Sequence, residues 1–355
     1  MKRKKIYILL SMVCLGAIVG YIRYVYIAPI STAQIQNIAK RCKKNTHLQS
    51  ANCYRREFQR IVRTTNLKEV MVAVVASNTA DPSLFLESEI DCHGVSHIIG
   101  ETAGLLPNVR ASTLISACGS SCGYGCTHGV VMGIVQNNPE RINNLEIVCK
   151  DPRGAPLSLF DEIACFHGLG HGLAEYTRYN TSDAVARCNR FGTRDAREEC
   201  MSGVFMEVYS PADRNHPAVP IPKDLFANCL GLRDSALVYC KRMMITALYR
   251  SNKEIALPFR LCHEAVSEKE GECVLTLGAD AYFVEQADIS RILNLCRQAG
   301  LYFPDCVEGV VSSSIIIHQD VRQASDICIR AGPEVERSCM DYMHYRMRIM
   351  GIEVR

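Results

Sequence analysis

Ser290-Arg291-Ile292-Leu293-Asn294-Leu295-Cys296, followed after nine residues by Cys306-Val307-Glu308-Gly309-Val310-Val311, is the stretch whose reading decides the fold. The first segment reads as a helix that ends near Cys296. Residues Arg297 to Asp305 form a short polar turn, with Gly300 and Pro304 as breakers, and a second helix opens at Cys306. A disulfide between the two cysteines staples the end of one helix to the start of the next. Closing a loop of about 12 residues stabilises by roughly 3 kcal/mol in the chain-entropy view. Antiparallel helices joined by a short turn bring such positions within bonding reach.

The same unit recurs along the chain. Cys42/Cys53, Cys149/Cys165, Cys188/Cys200, Cys229/Cys240, Cys262/Cys273 and Cys328/Cys339 repeat the pair, all but the 16-residue Cys149/Cys165 spacing lying at 11 or 12. With Cys92 and Cys126 added, the second members fall at 53, 92, 126, 165, 200, 240, 273, 306 and 339, in steps of 33 to 40. A period of that length predicts an all-α fold, a disulfide-stapled α-solenoid of about nine helical hairpins. A glycine recurs three positions after the second cysteine, at Gly129, Gly168, Gly203 and Gly309. Glycine inside a helix costs about 1 kcal/mol against alanine, so its recurrence points to close helix approach. As a class the pattern is similar to cysteine-rich tetratricopeptide or Sel1-like arrays, which also staple helical hairpins. The usual Sel1-like Gly/Tyr/Ala pattern is missing, so the resemblance extends to architecture alone and implies no site residues. The stretch 210–224, with Pro211, Pro217, Pro220 and Pro222, reads as an insertion between hairpins.

Nineteen cysteines in 355 residues point to an oxidising compartment. Residues 1–5 carry Lys2, Arg3, Lys4 and Lys5, and residues 6–27 are apolar but for Arg23. A helix over 6–27 would be about 33 Å long, enough to span a bilayer, with the basic end cytoplasmic. No small-x-small cleavage site follows, which points to an uncleaved transmembrane anchor rather than a signal peptide. The expectation is a single-pass membrane protein held in the lipid bilayer by 6–27. A linker follows at 28–34, and an ectodomain at 35–355 faces the periplasm or cell surface. Without the four N-terminal cations, 36 basic residues face 37 acidic ones, so a phosphate-backbone binder is excluded and no nucleic acid is expected.

Chemistry concentrates in the second to fourth units. Cys92, Cys118, Cys122 and Cys126 break the pairing rule. Two disulfides, Cys118 to Cys126 and Cys92 to Cys122, repair it, with a metal cluster as the alternative. Three successive second helices read His93-Gly94-Val95-Ser96-His97 with Glu101, His128-Gly129-Val130-Val131-Met132 with Gln136, and His167-Gly168-Leu169-Gly170-His171 with Glu175. Positions i, i+4 and i+8 share one helix face, and neighbouring helices lie about 8 to 10 Å apart. Imidazoles at i and i+4 with a carboxylate suit zinc, and His with Met suits copper. The candidate metal ligands are therefore His93, His97, Glu101, His128, Met132, His167, His171 and Glu175, with a zinc or copper ion as cofactor. The competing explanation is that these histidines join adjacent repeats by packing and hydrogen bonding. No HExxH, Walker loop, dinucleotide glycine motif or Gly-x-Ser-x-Gly elbow occurs. Two functions follow as expectations. One is an extracytoplasmic scaffold that binds a protein, peptide or envelope component on the solenoid surface. The other is a transition-metal-binding protein or metalloenzyme.

Overall fold

The computed structural model describes residues 30–350 apart from 45, 82, 87–89, 139–145, 151–155, 210–220, 286 and 319–320. The basic tail at 1–5, the anchor at 6–27 and most of the 210–224 insertion lie outside the described residues. Among the described residues no helix is long and apolar enough to cross a membrane, and there is no strand.

The first units contain α1 (Thr32–Cys42), α2 (His47–Ile61), α3 (Leu67–Ala80), α4 (Ser83–Leu86) and α5 (Cys92–Gly104). Then come α6 (Ala111–Cys118), α7 (Gly125–Asn137), α8 (Glu146–Cys149), α9 (Leu159–Tyr176), α10 (Thr181–Cys188) and α11 (Arg194–Tyr209). The last part holds α12 (Asp234–Asn252), α13 (Ala256–Ala265), α14 (Glu270–Val284), α15 (Ile289–Cys296), α16 (Phe303–His318), α17 (Val321–Ala331) and α18 (Pro333–Ile349). Helix starts are set by local chemistry. Ser31 and Gln34 form a reciprocal capping box that begins α1 inside the expected linker at 28–34. Thr46, Asn66, Asp91, Ser158, Asn180 and Asp288 cap α2, α3, α5, α9, α10 and α15 with their side chains.

Nine disulfides form: Cys42–Cys53, Cys92–Cys122, Cys118–Cys126, Cys149–Cys165, Cys188–Cys200, Cys229–Cys240, Cys262–Cys273, Cys296–Cys306 and Cys328–Cys339. Two details differ from the sequence expectation. Most second helices begin ahead of their cysteine: Cys53, Cys165, Cys200 and Cys240 all lie nearly two turns inside α2, α9, α11 and α12. Thr46, Ser158 and Thr193 accept backbone N–H groups at the starts of α2, α9 and α11, so those starts are set by caps rather than by the disulfides. The first arm of the sixth unit, among the described residues, is a 3-10 turn at Ala227–Cys229 rather than a helix.

Each second helix packs on the next, from α2 on α5 and α5 on α7 through to α16 on α18. The glycines explain how closely. A Cβ on Gly129 of α7 would lie 1.9 Å from the His97 carbonyl oxygen of α5, and one on Gly100 would lie 2.0 Å from the Cys126 oxygen. Gly203 and Gly170 do the same between α9 and α11, and Gly309 and Gly278 between α14 and α16. Gly168 is looser, with the His128 Cα 2.9 Å from its Cβ position. Three helix pairs thus cross backbone on backbone, which no side chain larger than hydrogen permits. Distant units also meet. Helix α16 packs on the turn at Ser121–Tyr124, and the Ser120 hydroxyl donates to the Met350 carbonyl oxygen at 2.8 Å.

Candidate metal centre

Helices α5, α7 and α9 carry the histidines and are buried nearly all round. Every residue from Gly125 to Val135 and from Ala164 to Ala174 is buried. A helix apolar on all faces belongs in the middle of a protein, so a polar side chain on it loses water from every direction. His97 and His171 have no exposed surface, His128 keeps 7% and His167 9%, while His93 is partly exposed.

Local structure aims these side chains. Asp91 accepts the Gly94 N–H at 2.8 Å, which sets the start of α5 and places His93 in its first turn. Helix α7 follows three left-handed residues, Cys122, Gly123 and Tyr124. Gly123 has the His93 ring and Ile316 against its Cβ position, so this turn closes over His93. The Ser158 hydroxyl accepts the Asp161 N–H at the start of α9, the helix that presents His167 and His171.

The five imidazoles converge. Ring centres of His128 and His167 lie 4.8 Å apart, His167 and His171 5.0 Å, and His128 and His171 5.5 Å. Three imidazoles bound to one tetrahedral ion, with metal–nitrogen distances of about 2.05 Å, have ring centres about 5.2 Å apart. One nitrogen from each of these three residues lies within 4.8 Å of the others, whereas a bound set needs about 3.3 Å. The ring centres stand near that separation, and the nitrogens must close by up to about 1.5 Å to share an ion. His93 joins at 5.4 Å from His128, and His97 at 5.5 Å from His171.

The outer nitrogens are held by carboxylates and a backbone carbonyl, the groups that fix the rings of metal-binding histidines. His171 Nδ1 donates to the Glu207 carboxylate at 2.6 Å, with both side chains fully buried. His93 Nδ1 donates to the Cys122 carbonyl oxygen at 3.0 Å. His167 Nδ1 lies 3.6 Å from Glu199. Consequently His171 turns Nε2 toward the cluster, and that nitrogen is buried with no hydrogen-bond partner, as is Nδ1 of His128. Burial pushes the imidazoles of His97 and His128 well below their ordinary range, and those of His93 and His167 below it, because the charged form loses its water. Neighbouring imidazoles push the same way: His171 against His97, and His167 against His128. A neutral imidazole with a bare ring nitrogen is the form that binds a metal.

The two carboxylates read from the sequence point elsewhere. Glu101 pairs with Arg55, its Oε2 accepting from Nε at 3.2 Å and Nη2 at 3.1 Å. Glu175 accepts from the Gln136 amide. The reason is helix geometry: eight residues advance about 12 Å and turn about 80° past the starting face, so i+8 drifts away from a face shared by i and i+4. Met132 lies fully buried one turn beyond His128 on α7. The carboxylates that do face the imidazoles, Glu207 and Glu199, come from α11. Glu207 had a legible signal, a lone charge in Gly203-Val204-Phe205-Met206-Glu207-Val208-Tyr209, an otherwise apolar run.

Compared with known protein families, curated proteins and solved structures, the chain matches none. The site is therefore read from its own geometry. No cysteine thiolate is available to it, since all eighteen cysteines of the described residues are in disulfides. Imidazole donors suit zinc and copper(II), and a thiolate-requiring centre is excluded.

Proposed function

We propose that this protein is a transition-metal-binding protein whose ion is held by His128, His167 and His171 between α7 and α9, with Glu207 orienting His171. The observation that carries this reading is the trio of buried rings at tetrahedral-site spacing, with a fully buried carboxylate behind one of them. Zinc or copper(II) fits the donor set, and the fully buried Met132 leaves copper in contention.

The wider setting belongs to the same proposal. The disulfides suit an extracytoplasmic domain, carried behind residues 6–27 as a membrane anchor, with the hairpins stacked as a solenoid. A protein or peptide partner on the solenoid surface is compatible with a metal centre inside it.

The test is metal analysis of the disulfide-intact protein after equilibrium dialysis against zinc. The expected result is an ion retained through desalting and lost in a His128→Ala/His171→Ala double variant. Retention of no ion by wild-type protein, at concentrations where it is folded, refutes the reading.

A further inference from the structure

We infer that the imidazole cluster holds a second ion on the α5 side, with His93 and His97 as its protein ligands. The inference rests on the metal-binding reading of His128, His167 and His171, and it assigns the two histidines which that site leaves unused.

His93 lies outside the trio, yet its ring is held the way a ligand's is. The Cys122 carbonyl oxygen can only accept, so Nδ1 carries the proton and Nε2 keeps its lone pair. The arrangement that fixes His93 is costly to build. Cys122 and Tyr124 take left-handed backbone angles, φ 51° and 63°, which disfavour any residue but glycine. The Cys92–Cys122 disulfide ties this turn to the residue next to His93. A histidine present only to fill space requires none of this.

His93 and His97 are an i, i+4 pair on α5, with ring centres 6.3 Å apart. That is about 1 Å wider than two imidazoles on one tetrahedral ion, a gap that side-chain rotation closes. The His93 ring sits 5.4 Å from His128 and the His97 ring 5.5 Å from His171. An ion on the α5 pair would therefore neighbour the first ion, as in two-metal sites. A single four-coordinate ion takes at most four of the five imidazoles.

Asp91 acts electrostatically on His93 and Glu207 on His97, so each imidazole of the pair has a carboxylate within electrostatic range. Arg55 acts on His97 in the opposite sense, but its guanidinium is already bonded to Glu101. Partial exposure of His93 gives the α5 pair the more accessible end of the cluster, and the fully buried His171 the deeper end.

The test uses copper(II) as the probe, with disulfides intact and excess removed by desalting. Wild-type protein is expected to retain two equivalents per chain and to show the half-field electron paramagnetic resonance signal of two coupled copper ions. The variant His93→Asn keeps a donor for the Cys122 carbonyl and is expected to retain one equivalent with the spectrum of an isolated ion. Wild-type protein that saturates at one equivalent overturns the second site and leaves the first standing. Two equivalents without coupling overturn it as well, because the second ion is then elsewhere. Retention of none removes both. Should His93→Asn not fold, the coupled signal in wild-type protein decides.

Discussion

Replacing Gly129 by alanine should destabilise the protein, although alanine is intrinsically the better helix former. The added Cβ would lie 1.9 Å from the His97 carbonyl oxygen and 2.6 Å from the Glu101 nitrogen, both backbone atoms that no rotamer can move. Carbon and oxygen pack at about 3.3–3.6 Å, so α5 and α7 must part by roughly 1.5 Å. Overpacking of this kind costs about 1–3 kcal/mol or more, against roughly 1 kcal/mol regained from helix propensity. The two backbone contacts put the cost at the upper end of that range, so the net expectation is a loss of about 2 kcal/mol, read as a lower urea midpoint with disulfides intact. The same displacement separates His128 from His93 and His97 while leaving its register with His167 and His171 on α9. Gly129→Ala should therefore retain the first ion and weaken the second. Gly172 provides the contrast, because its Cβ position meets only the Val135 side chain, at 3.2 Å. Gly172→Ala should be nearly neutral. If Gly129→Ala matches or exceeds wild-type stability, the backbone-on-backbone crossing is wrong, and with it the reason the imidazoles meet.

Three further outcomes follow from the site. Glu207→Gln, which removes the carboxylate behind His171, should weaken zinc about 10–100-fold in competition with a chromophoric chelator, the usual scale for such a partner; unchanged affinity would show that Glu207 does not orient a ligand. Glu101→Gln should leave zinc affinity within about twofold, because that carboxylate serves Arg55 and not the cluster; a tenfold loss would return Glu101 to the ligand set. In metal-free protein, His97 and His128 are held well below the ordinary histidine range by burial, so the unfolded chain binds protons first as pH falls. Stability should be level above about pH 7 and decline below about 6.5, toward the folded-state values, at about 1.4 kcal/mol per pH unit for each such imidazole. Urea midpoints that rise on acidification from pH 7.5 to 5 would contradict the burial of neutral rings.

The cysteine spacing made the hairpins legible because a disulfide is a local covalent constraint, and Cys296 and Cys306 carry the same message as Cys262 and Cys273. The starts of the second helices were less legible, since they obey caps such as Thr46 and Ser158 rather than the cysteines they precede. The glycines after each second cysteine signalled close approach, but their counterparts Gly100, Gly170 and Gly278 became apparent only with both helices in place. In the candidate site, the i, i+4 histidines were readable from helix periodicity alone. The i+8 carboxylates were not, because the 80° drift sends Glu101 to Arg55. Glu207 was missed for a different reason: its partner His171 lies 36 residues away on a neighbouring helix, and one-helix periodicity has no means of pairing them. The contact between Ser120 and Met350, 230 residues apart, leaves no local trace at all.

The most direct test of the metal centre is X-ray absorption at the zinc edge on wild-type protein loaded with one equivalent. The account predicts a shell of nitrogen or oxygen at about 2.0–2.1 Å with the multiple scattering of at least three imidazoles, and no sulfur near 2.3 Å. A sulfur shell, an oxygen-only shell, or a protein that keeps no zinc would contradict it.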